Sequence, residues 1–436
     1  MSLARLSARL IAAALVLLLV ACSSGAGQPL HAPPAEDLSS VDPQGQVIAF
    51  WHPYSGHREE VLLALLDEFN ATNPWRITAV GESAGSTAAL YQAIEERVER
   101  GPLPDLSIAA PYQVAAYVGR QALVELTPYV EHRTWGLTQS EREDFVAVSV
   151  LPQFEGLYSL PASRSLEVLY YNQDLLHELG YPEPPRTWDA FREMACAASA
   201  ASTGARGYAF SIDAVTWVGM LANHGGQMLE EGAAGYAFGN ASGLETLELI
   251  RALVADGCAT WTVEREGDRT DFGAGRVLFI IDSTSALPEI HDAVAAGTDF
   301  EWSIIPLPTT LETPRVAVYG LDYVILRTTP ERQLAAWLLV RWLSAPQQQA
   351  RWAQAVRTLP TRASAADLLD DELWLDAHYQ AALGFLDDDL VAEPAVTGYD
   401  RCRRELEGLL RDVAEGAEPA PGLVRVLRLC NESLIE

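Results

Sequence analysis

Apolar and polar positions alternate along the chain in blocks, first with the period of a strand and then with that of a helix. Gln46–Trp51 predicts a strand, and apolar residues from Val61 to Phe69 recur at helical spacing before Asn73-Pro74 ends the helix. Ile77–Val80 and Leu106–Ala109 predict further strands, each followed by a helical pattern. This strand–helix order predicts a parallel sheet covered by helices, an α/β fold.

The stretch Gly156–Trp188 occupies the centre of the predicted organisation. Leu157–Leu160 alternates as a short strand, and Pro161, which cannot donate to a ladder, is predicted to end it. Leu166–Tyr171 predicts a second, more buried strand. The polar residues Ser163–Ser165 between the two predict a loop, which we expect to be a ligand contact or a hinge.

Helix signals are clear in the second half of the chain. Asn172 is placed to cap a helix over Gln173–Leu179, and Thr187 is placed to start another with Trp188 in its first turn. Strands and helices then alternate to about Leu326, and from Thr329 onward the pattern is almost entirely helical.

The first residues predict export. Arg5 and Arg9 precede the apolar run Leu10–Val20, which is too short for a bilayer crossing of roughly 20 residues but suits a secretory signal. The small residues before Cys22 resemble the lipobox of bacterial lipoproteins, whose cysteine receives a lipid; an ordinary signal peptide containing Cys22 is the alternative. Ser23–Gly45 is rich in Ser, Gly, Pro and Ala and predicts a flexible tether.

Size and charge limit the classes of function. The chain has 436 residues, which is longer than a single hydrophobic core usually supports. We therefore expect two domains or lobes. Asp and Glu number 59 against 30 Lys and Arg, giving a net charge of −29 without a basic stripe. Nucleic acid is therefore excluded as the expected partner, and strongly anionic ligands are disfavoured.

Four cysteines remain after Cys22, and export permits disulfides. Four cysteines allow three connectivities. The most local pairing, Cys196–Cys258 with Cys402–Cys430, is our prediction, and four buried free thiols are the alternative.

One catalytic motif is present. Gly81–Gly85 fits G-x-S-x-G between a strand and a helix, which would make Ser83 a hydrolase nucleophile. Few strands precede it, no oxyanion segment accompanies it, and the candidate bases His291 and His378 lie in stretches without catalytic signatures. We therefore rank a serine hydrolase second, as a different class of function.

Metal and nucleotide motifs are absent from the sequence, so we expect no metal and no cofactor.

Aromatic residues recur beside polar turns at predicted strand ends. Flat rings beside paired hydrogen-bonding groups suit a sugar, which has apolar faces and a polar rim. Open α/β sheets bind ligands at such strand ends. The segments concerned are Trp51–Tyr54, Pro111-Tyr112, Thr216-Trp217, Val318–Gly320 and Gly398–Asp400.

The order of several short motifs resembles the extracellular solute-binding proteins of ABC importers, in the sugar and glycerol-3-phosphate branch. The resemblance covers nearly the whole chain after residue 45. The motifs are Phe50-Trp51-His52, Phe69–Pro74, Leu103-Pro104-Asp105, Ala122–Pro128, Gly156–Pro161, Tyr170-Tyr171-Asn172, Pro185–Trp188, Gly275-Arg276-Val277, Pro306-Leu307-Pro308 and Ala335–Gln347.

This resemblance implies a two-lobed, type II periplasmic-binding-protein fold with crossing hinge strands and a helical C-terminal part. It implies a signal peptide at 1–21 and a tether at 22–45. The N-terminal lobe would take 46–161 and 284–325, and the C-terminal lobe 162–283 and 326–436. The cleft between the lobes would be lined by His52, Tyr54, Glu82, Ser83, Tyr112, Arg164, Ser165, Asp213, Trp217, Ser283, Ser285, Tyr319, Gly320, Asp322 and Tyr399.

The resemblance also implies a function without catalysis. A monomer, held outside the cytoplasm at the membrane by its lipid, would bind a solute and deliver it to an ABC permease. Glycerol-3-phosphate binders carry an arginine in the late segment that here reads Thr397–Asp400, so we expect a neutral sugar, oligosaccharide or polyol. A glycerol-3-phosphate or glycerophosphodiester ligand is the alternative within the same fold, with Arg164 as a substitute cation.

Overall fold

A computed structural model describes residues 38–146, 151–201, 204–262 and 267–434. The predicted signal segment and Cys22 lie outside the described residues. Ten strands are found in the described part. They are β1 Val47–His52, β2 Thr78–Ser83, β3 Leu106–Ala109, β4 Leu160–Asn172, β5 Arg206–Ser211, β6 Ala259–Thr262, β7 Val277–Ser283, β8 Trp302–Ile305, β9 Arg315–Ile325 and β10 Asp389–Ala392.

The α-helices of the same residues follow the predicted order closely. They are α1 His57–Thr72, α2 Thr87–Arg100, α3 Pro111–Gly119, α4 Thr127–Val130, α5 Gln139–Glu143, α6 Gln173–Glu178, α7 Trp188–Ala200, α8 Ala214–Asn223, α9 Ala241–Ala255, α10 Gly267–Gly273, α11 Leu287–Ala296, α12 Pro330–Leu343, α13 Pro346–Val356, α14 Asp371–Trp374, α15 Ala377–Gly384, α16 Tyr399–Ala414 and α17 Pro419–Ser433. None of these described helices combines the length and the apolar character that a membrane crossing needs.

The strands form one mixed sheet in the order β2-β1-β3-β9-β4-β7-β5-β6, with β8 added to β4 and β10 to β9. β1, β2 and β3 run parallel and form the first set. β5, β6 and β7 also run parallel and form the second set. β4 and β9 pair with each other antiparallel and link the two sets, so they are the crossing strands.

β4 corrects the prediction of two strands with a loop between them. It is one strand of 13 residues, and the polar residues Ser163–Ser165 pair with β9 inside it. The register shifts between Pro161 and Ser163, which accommodates the missing N–H of Pro161 at a bulge instead of ending the strand. The polar residues are therefore part of a crossing strand.

Two segments pack against a different set of strands from the one that the expected lobe boundaries assign to them. Apolar side chains of α12 and α13, such as Trp337 and Trp352, share one core cluster with Ile48 and Phe50 of β1. The expectation that everything after residue 325 belongs to the C-terminal lobe therefore conflicts with this packing. Conversely, Ile290 of α11 lies in a cluster with residues of β4 and β7, on the side of the second set.

Local signals produced the expected helix starts. The side chain of Asn172 accepts a hydrogen bond from the backbone N–H of Leu175, and the side chain of Thr187 accepts one from Ala190. The structure contains the disulfides Cys196–Cys258 and Cys402–Cys430. The pattern did not predict β6 or β10, two strands of four residues each.

Candidate ligand-binding site

Both strand sets end at or beside predicted site residues. β1 and β2 end together at His52 and Ser83, which are register partners. In the second set, β5 ends at Ser211, just before Asp213, and β7 ends at Ser283. Ligands of open α/β sheets bind outside the carboxyl ends of the strands. These ends therefore mark the region of the candidate site.

A buried carboxyl group, Glu167 on β4, organises the second-set side of this region. It exposes 3% of its surface. The hydroxyl of Thr216 donates to its Oε1 at 2.5 Å, and the hydroxyl of Tyr319 donates to its Oε2 at 3.2 Å. Burial, reinforced by the charges of Asp282 and Asp213, raises the pKa of Glu167 to about 8 in spite of these hydrogen bonds. Much of the Glu167 population is therefore protonated at neutral pH.

Predicted hydroxyl groups surround Glu167. Ser283 is its register partner across β4 and β7, and Ser165 is the register partner of Tyr319 across β4 and β9. The hydroxyl oxygens of Ser283 and Ser285 lie 2.8 Å apart. The structure thus brings these four predicted residues together beside Glu167, in a lining rich in donors and acceptors.

Arg403 on α16 forms a second cluster. Its guanidinium lies 3.2 Å from Asp213 Oδ1 and 3.0 Å from Glu393 Oε1, while the hydroxyl of Tyr399 donates to Glu393 at 2.9 Å. The guanidinium carbon lies 5.7 Å from the ring centre of Tyr112, which makes an edge contact with Tyr399 at 5.7 Å between centres. Tyr112 follows β3 of the first set, so this cluster joins the two sides of the site.

Arg164 and Asp322, predicted as cleft residues, instead form a buried pair between the crossing strands. Arg164 Nη2 lies 2.8 Å from Asp322 Oδ1, and the side chains expose 3% and 0%. The hydroxyl of Ser159 donates to the other Asp322 oxygen at 2.7 Å. Gly320 is required nearby, since a Cβ there would lie 2.1 Å from the carbonyl oxygen of Ser163. These residues hold β4 against β9.

His52 and Tyr54 lie in the first-set core. His52 is fully buried and stacks on Tyr54 at 5.9 Å between ring centres. Tyr54 in turn packs on Trp352 at 5.0 Å. Burial lowers the pKa of His52, which favours the neutral imidazole. Their burial corrects the prediction that both rings face a ligand.

Glu82 and Ser83 are engaged locally. Trp51 Nε1 donates to Glu82 at 2.9 Å. The hydroxyl of Ser83 donates to the Tyr54 carbonyl at 2.6 Å and accepts from the N–H of Gly85 at 3.1 Å. Both bonds of Ser83 join it to backbone, which is the pattern of a turn and not of an activated nucleophile.

Of the proposed catalytic bases, His378 stacks on the Trp302 ring at 3.7 Å and bonds to the Trp302 carbonyl. The hydrolase alternative therefore finds no support in these contacts.

Trp217 corrects another prediction. It exposes 1% of its surface and makes an edge contact with Phe238 at 5.4 Å between ring centres. A sugar cannot stack on a ring that is covered in this way. Trp217 is a core residue of the second set.

Glu167, Glu393 and Arg403 are not among the residues predicted from the sequence, and Thr216 was noted there only as the neighbour of Trp217. Glu167 had a usable signal, because it is the single charged residue in the apolar run Leu166–Tyr171, and a buried strand rarely carries an unpaired charge. Arg403 and Glu393 had no comparable signal, since Arg403 is one of several charged residues of α16 and Glu393 stands in the loop that follows β10.

Metal-ligand geometry is found at one place among the described residues, in the group Cys196, Asp256 and Cys258. The two cysteines are joined in a disulfide. A disulfide sulfur is not the thiolate that binds metals, so this group does not form a metal site.

Comparisons with known proteins agree with this architecture. The sugar-binding protein MalE of Xanthomonas citri superimposes with a TM-score of 0.76 at 21% identity, over 89% of this chain and 98% of that one. UgpB of Mycobacterium tuberculosis, solved with glycerophosphocholine, gives 0.74 at 19% identity, over 89% and 99%. These similarities show that the fold is the two-lobed fold of periplasmic binding proteins.

Sequence comparison places the chain in a family. A binding protein of Brucella abortus (strain 2308) is 24% identical over 323 residues, covering 71% of this chain and 74% of the relative. The family model described as bacterial extracellular solute-binding protein matches residues 64–381. This chain therefore belongs to the bacterial extracellular solute-binding proteins.

Proposed function

We propose that the protein is the extracytoplasmic binding component of an ABC importer and carries a sugar, oligosaccharide or polyol to a membrane permease. One observation carries the proposal. Hydroxyl groups of Thr216 and Tyr319 converge with those of Ser283 and Ser285 around Glu167, where the crossing strands pass the ends of the second set. Paired donors and acceptors of this kind suit the hydroxyls of a saccharide.

The proposed cleft lies between a lobe built on the first set, with α12 and α13, and a lobe built on the second. Closure about β4 and β9 would bring Tyr112 and Tyr399 against each other, as in the present arrangement, and bury the ligand. Ligand binding stabilises this closed population, which the permease would recognise. In the same proposal the protein is a monomer, and a lipid on Cys22 holds it at the outer side of the membrane.

Sugar binding in the structural relative from Xanthomonas citri supports this ligand class. The complex of UgpB with glycerophosphocholine supports a second candidate, a glycerophosphodiester. The arginines of the site favour the first candidate, because Arg164 and Arg403 already pair with carboxylates.

The test is a thermal-shift panel on the purified protein, with neutral sugars, amino sugars, polyols, glycerol 3-phosphate and glycerophosphocholine. A true ligand raises the Tm in proportion to the logarithm of its concentration above Kd. Calorimetry then gives the Kd of each positive compound. A panel in which no compound raises the Tm would reject the proposed function.

A further inference from the structure

Glu167 on β4 is a buried carboxyl group whose hydrogen-bonding partners are neutral. Helix α8 covers it closely, since a Cβ added at Gly219 would lie 3.8 Å from Glu167 Cγ. Its two oxygens accept from the hydroxyls of Thr216 and Tyr319, and it belongs to none of the ion pairs of the described residues. Burying an ionised carboxylate without a cation is costly. The geometry therefore favours the protonated acid, in agreement with its raised pKa.

The two partner hydroxyls stand between Glu167 and the proposed cleft. Thr216, in the first turn of α8, and Tyr319, on β9, are both half-buried, whereas Glu167 is buried behind them. The Tyr319 hydroxyl also bonds to the side chain of Ser283, whose hydroxyl lies 2.8 Å from that of half-buried Ser285. A solute in the cleft would meet these hydroxyls and not Glu167 itself.

The protonation of Glu167 decides which way the hydroxyl protons point, because each hydroxyl has only one proton to donate. When Glu167 is ionised it can only accept, so the protons of Thr216 and Tyr319 are both directed inward to it. Each hydroxyl then offers only lone pairs to the cleft. When Glu167 is protonated, it donates its own proton to one of the two hydroxyls. That hydroxyl is then able to donate its proton outward.

We propose that Glu167 is a positioning residue for ligand recognition, which in its protonated form turns the hydroxyl of Thr216 or Tyr319 outward as a donor to an acceptor-only oxygen of the solute. The ring and glycosidic oxygens of a saccharide are acceptors of this kind. The inference rests on the proposed function and adds a regulation of the same site. Sugar binding retains the proton of Glu167 and is therefore linked to pH.

Other titratable groups surround Glu167 from each neighbouring element. Asp282 on β7 and Asp213 before α8 reinforce the effect of burial on its pKa, and they pair with Arg269 and Arg403. The remaining groups are tyrosines, and burial raises the pKa of each phenol well above its ordinary value: Tyr170, Tyr208 and Tyr319. These phenols stay protonated below pH 9. Glu167 is therefore the group whose charge changes beside the two hydroxyls between pH 7 and pH 9.

The test measures, by calorimetry from pH 6 to pH 9, the Kd of the neutral sugar that gives the largest Tm shift in the panel. A neutral sugar does not titrate in this range, so any pH dependence belongs to the protein. The Kd should be nearly constant up to pH 7 and rise about tenfold between pH 7 and pH 9, as the protonated fraction of Glu167 falls. At pH 9 the binding enthalpy should depend on the ionisation enthalpy of the buffer, because binding takes up a proton.

A glutamine at position 167 reproduces the protonated pattern, since its amide donates to one hydroxyl and accepts from the other. Glu167→Gln should therefore bind the sugar with about the wild-type Kd at pH 6 and keep this Kd at pH 9. The matched control is Asp268→Asn, which replaces another buried carboxyl group that accepts from a hydroxyl, that of Ser211. This control should keep the wild-type rise in Kd.

Two further variants identify the hydroxyl that turns outward. Thr216→Val and Tyr319→Phe each remove one of the two hydroxyls while keeping the shape of the side chain. The variant that lacks the outward donor should bind weakly at every pH, with a flat pH profile. These variants also test the inference if Glu167→Gln does not fold.

A wild-type Kd that stays constant from pH 6 to pH 9 would overturn the inference while leaving solute binding intact. A Kd that rises as steeply in Glu167→Gln as in the wild type, or in both hydroxyl variants, would overturn it as well. A panel in which no sugar or polyol binds would reject the proposed function itself, so the two failures are distinguishable.

Discussion

Arg164 on β4 and Asp322 on β9 form a buried ion pair of 2.8 Å between the two crossing strands. The pair lies where the strands join the two sides of the site, and Ser159 satisfies the second oxygen of Asp322. It fixes the relative position of β4 and β9 at the hinge, and this role explains why Arg164 is not available to a ligand.

Removing one member of this pair should be strongly destabilising. Asp322→Ala leaves the guanidinium of Arg164 buried without its charge partner, and we expect a loss of about 3–5 kcal/mol in the free energy of unfolding. Urea denaturation measures the loss. The control Glu432→Ala breaks an exposed pair with Arg428 and should cost less than about 1 kcal/mol. Equal effects of the two variants would contradict the structural role.

Glu167 should make stability depend on pH. Its pKa is raised from 4.5 to about 8 in the folded protein, so the folded state favours the protonated form. The resulting stabilisation is fully present below pH 4.5 and is lost as the pH rises through about 8. Glutamine has the shape of a protonated glutamate but does not titrate, so Glu167→Gln removes this pH-dependent loss of stability. The Tm of the variant should therefore fall less than the wild-type Tm between pH 5 and pH 9.

Asp268, whose pKa burial raises to about 6, contributes a similar slope at lower pH. It is present in both proteins and cancels in the comparison. Parallel Tm profiles for wild type and Glu167→Gln would show that Glu167 does not titrate in this range.

Gly320 should not tolerate a side chain. An alanine Cβ would lie 2.1 Å from the Ser163 carbonyl, so the crossing strands would have to separate. We expect Gly320→Ala to cost about 1–3 kcal/mol, as overpacking does. Gly384→Ala, at the end of α15 with no atom within 4 Å of the new Cβ, is the control and should be neutral or slightly stabilising. Chemical denaturation of both variants gives the comparison.

Substitutions of Trp217 and Tyr319 should affect different properties, stability for Trp217 and ligand binding for Tyr319. Trp217→Ala empties a core position and should cost about 3–5 kcal/mol of stability. Tyr319→Phe removes the hydroxyl that bonds Glu167 and should cost only about 1 kcal/mol, yet it should weaken ligand binding. Denaturation and calorimetry on the same samples separate the two effects. A Tyr319→Phe protein with unaltered ligand affinity would remove Tyr319 from the site.

The disulfides should each stabilise the fold. Cys196–Cys258 closes a loop with a sequence separation of 62, and Cys402–Cys430 one of 28. Replacing either pair by serine should lower the free energy of unfolding by about 2–4 kcal/mol, with the larger loss for the longer loop. Thermal unfolding of the two double variants checks this order. Serine variants as stable as the wild type would show that these links are dispensable.

The sequence by itself determined the succession of strands and helices and many of their ends. The helix starts at Asn172 and Thr187 were predictable because a capping side chain bonds to backbone within three residues of itself. The α/β class and the family motifs also follow from patterns that repeat over short stretches. Such patterns depend only on residues that are close together in the sequence, so they can be recognised without the tertiary structure.

Only the tertiary structure decided the partners of the charged residues and the continuity of β4. Asp213 and Arg403 are 190 residues apart in the chain, and Thr216 and Glu167 are 49 apart. No local pattern encodes such contacts, because they depend on which strands become neighbours in the sheet. Pro161 likewise appeared to be a strand end, until pairing with β9 supplied a bulge that accommodates it. Local propensity therefore fixed the elements, whereas long-range packing decided which side chains form the site and which are buried beneath it.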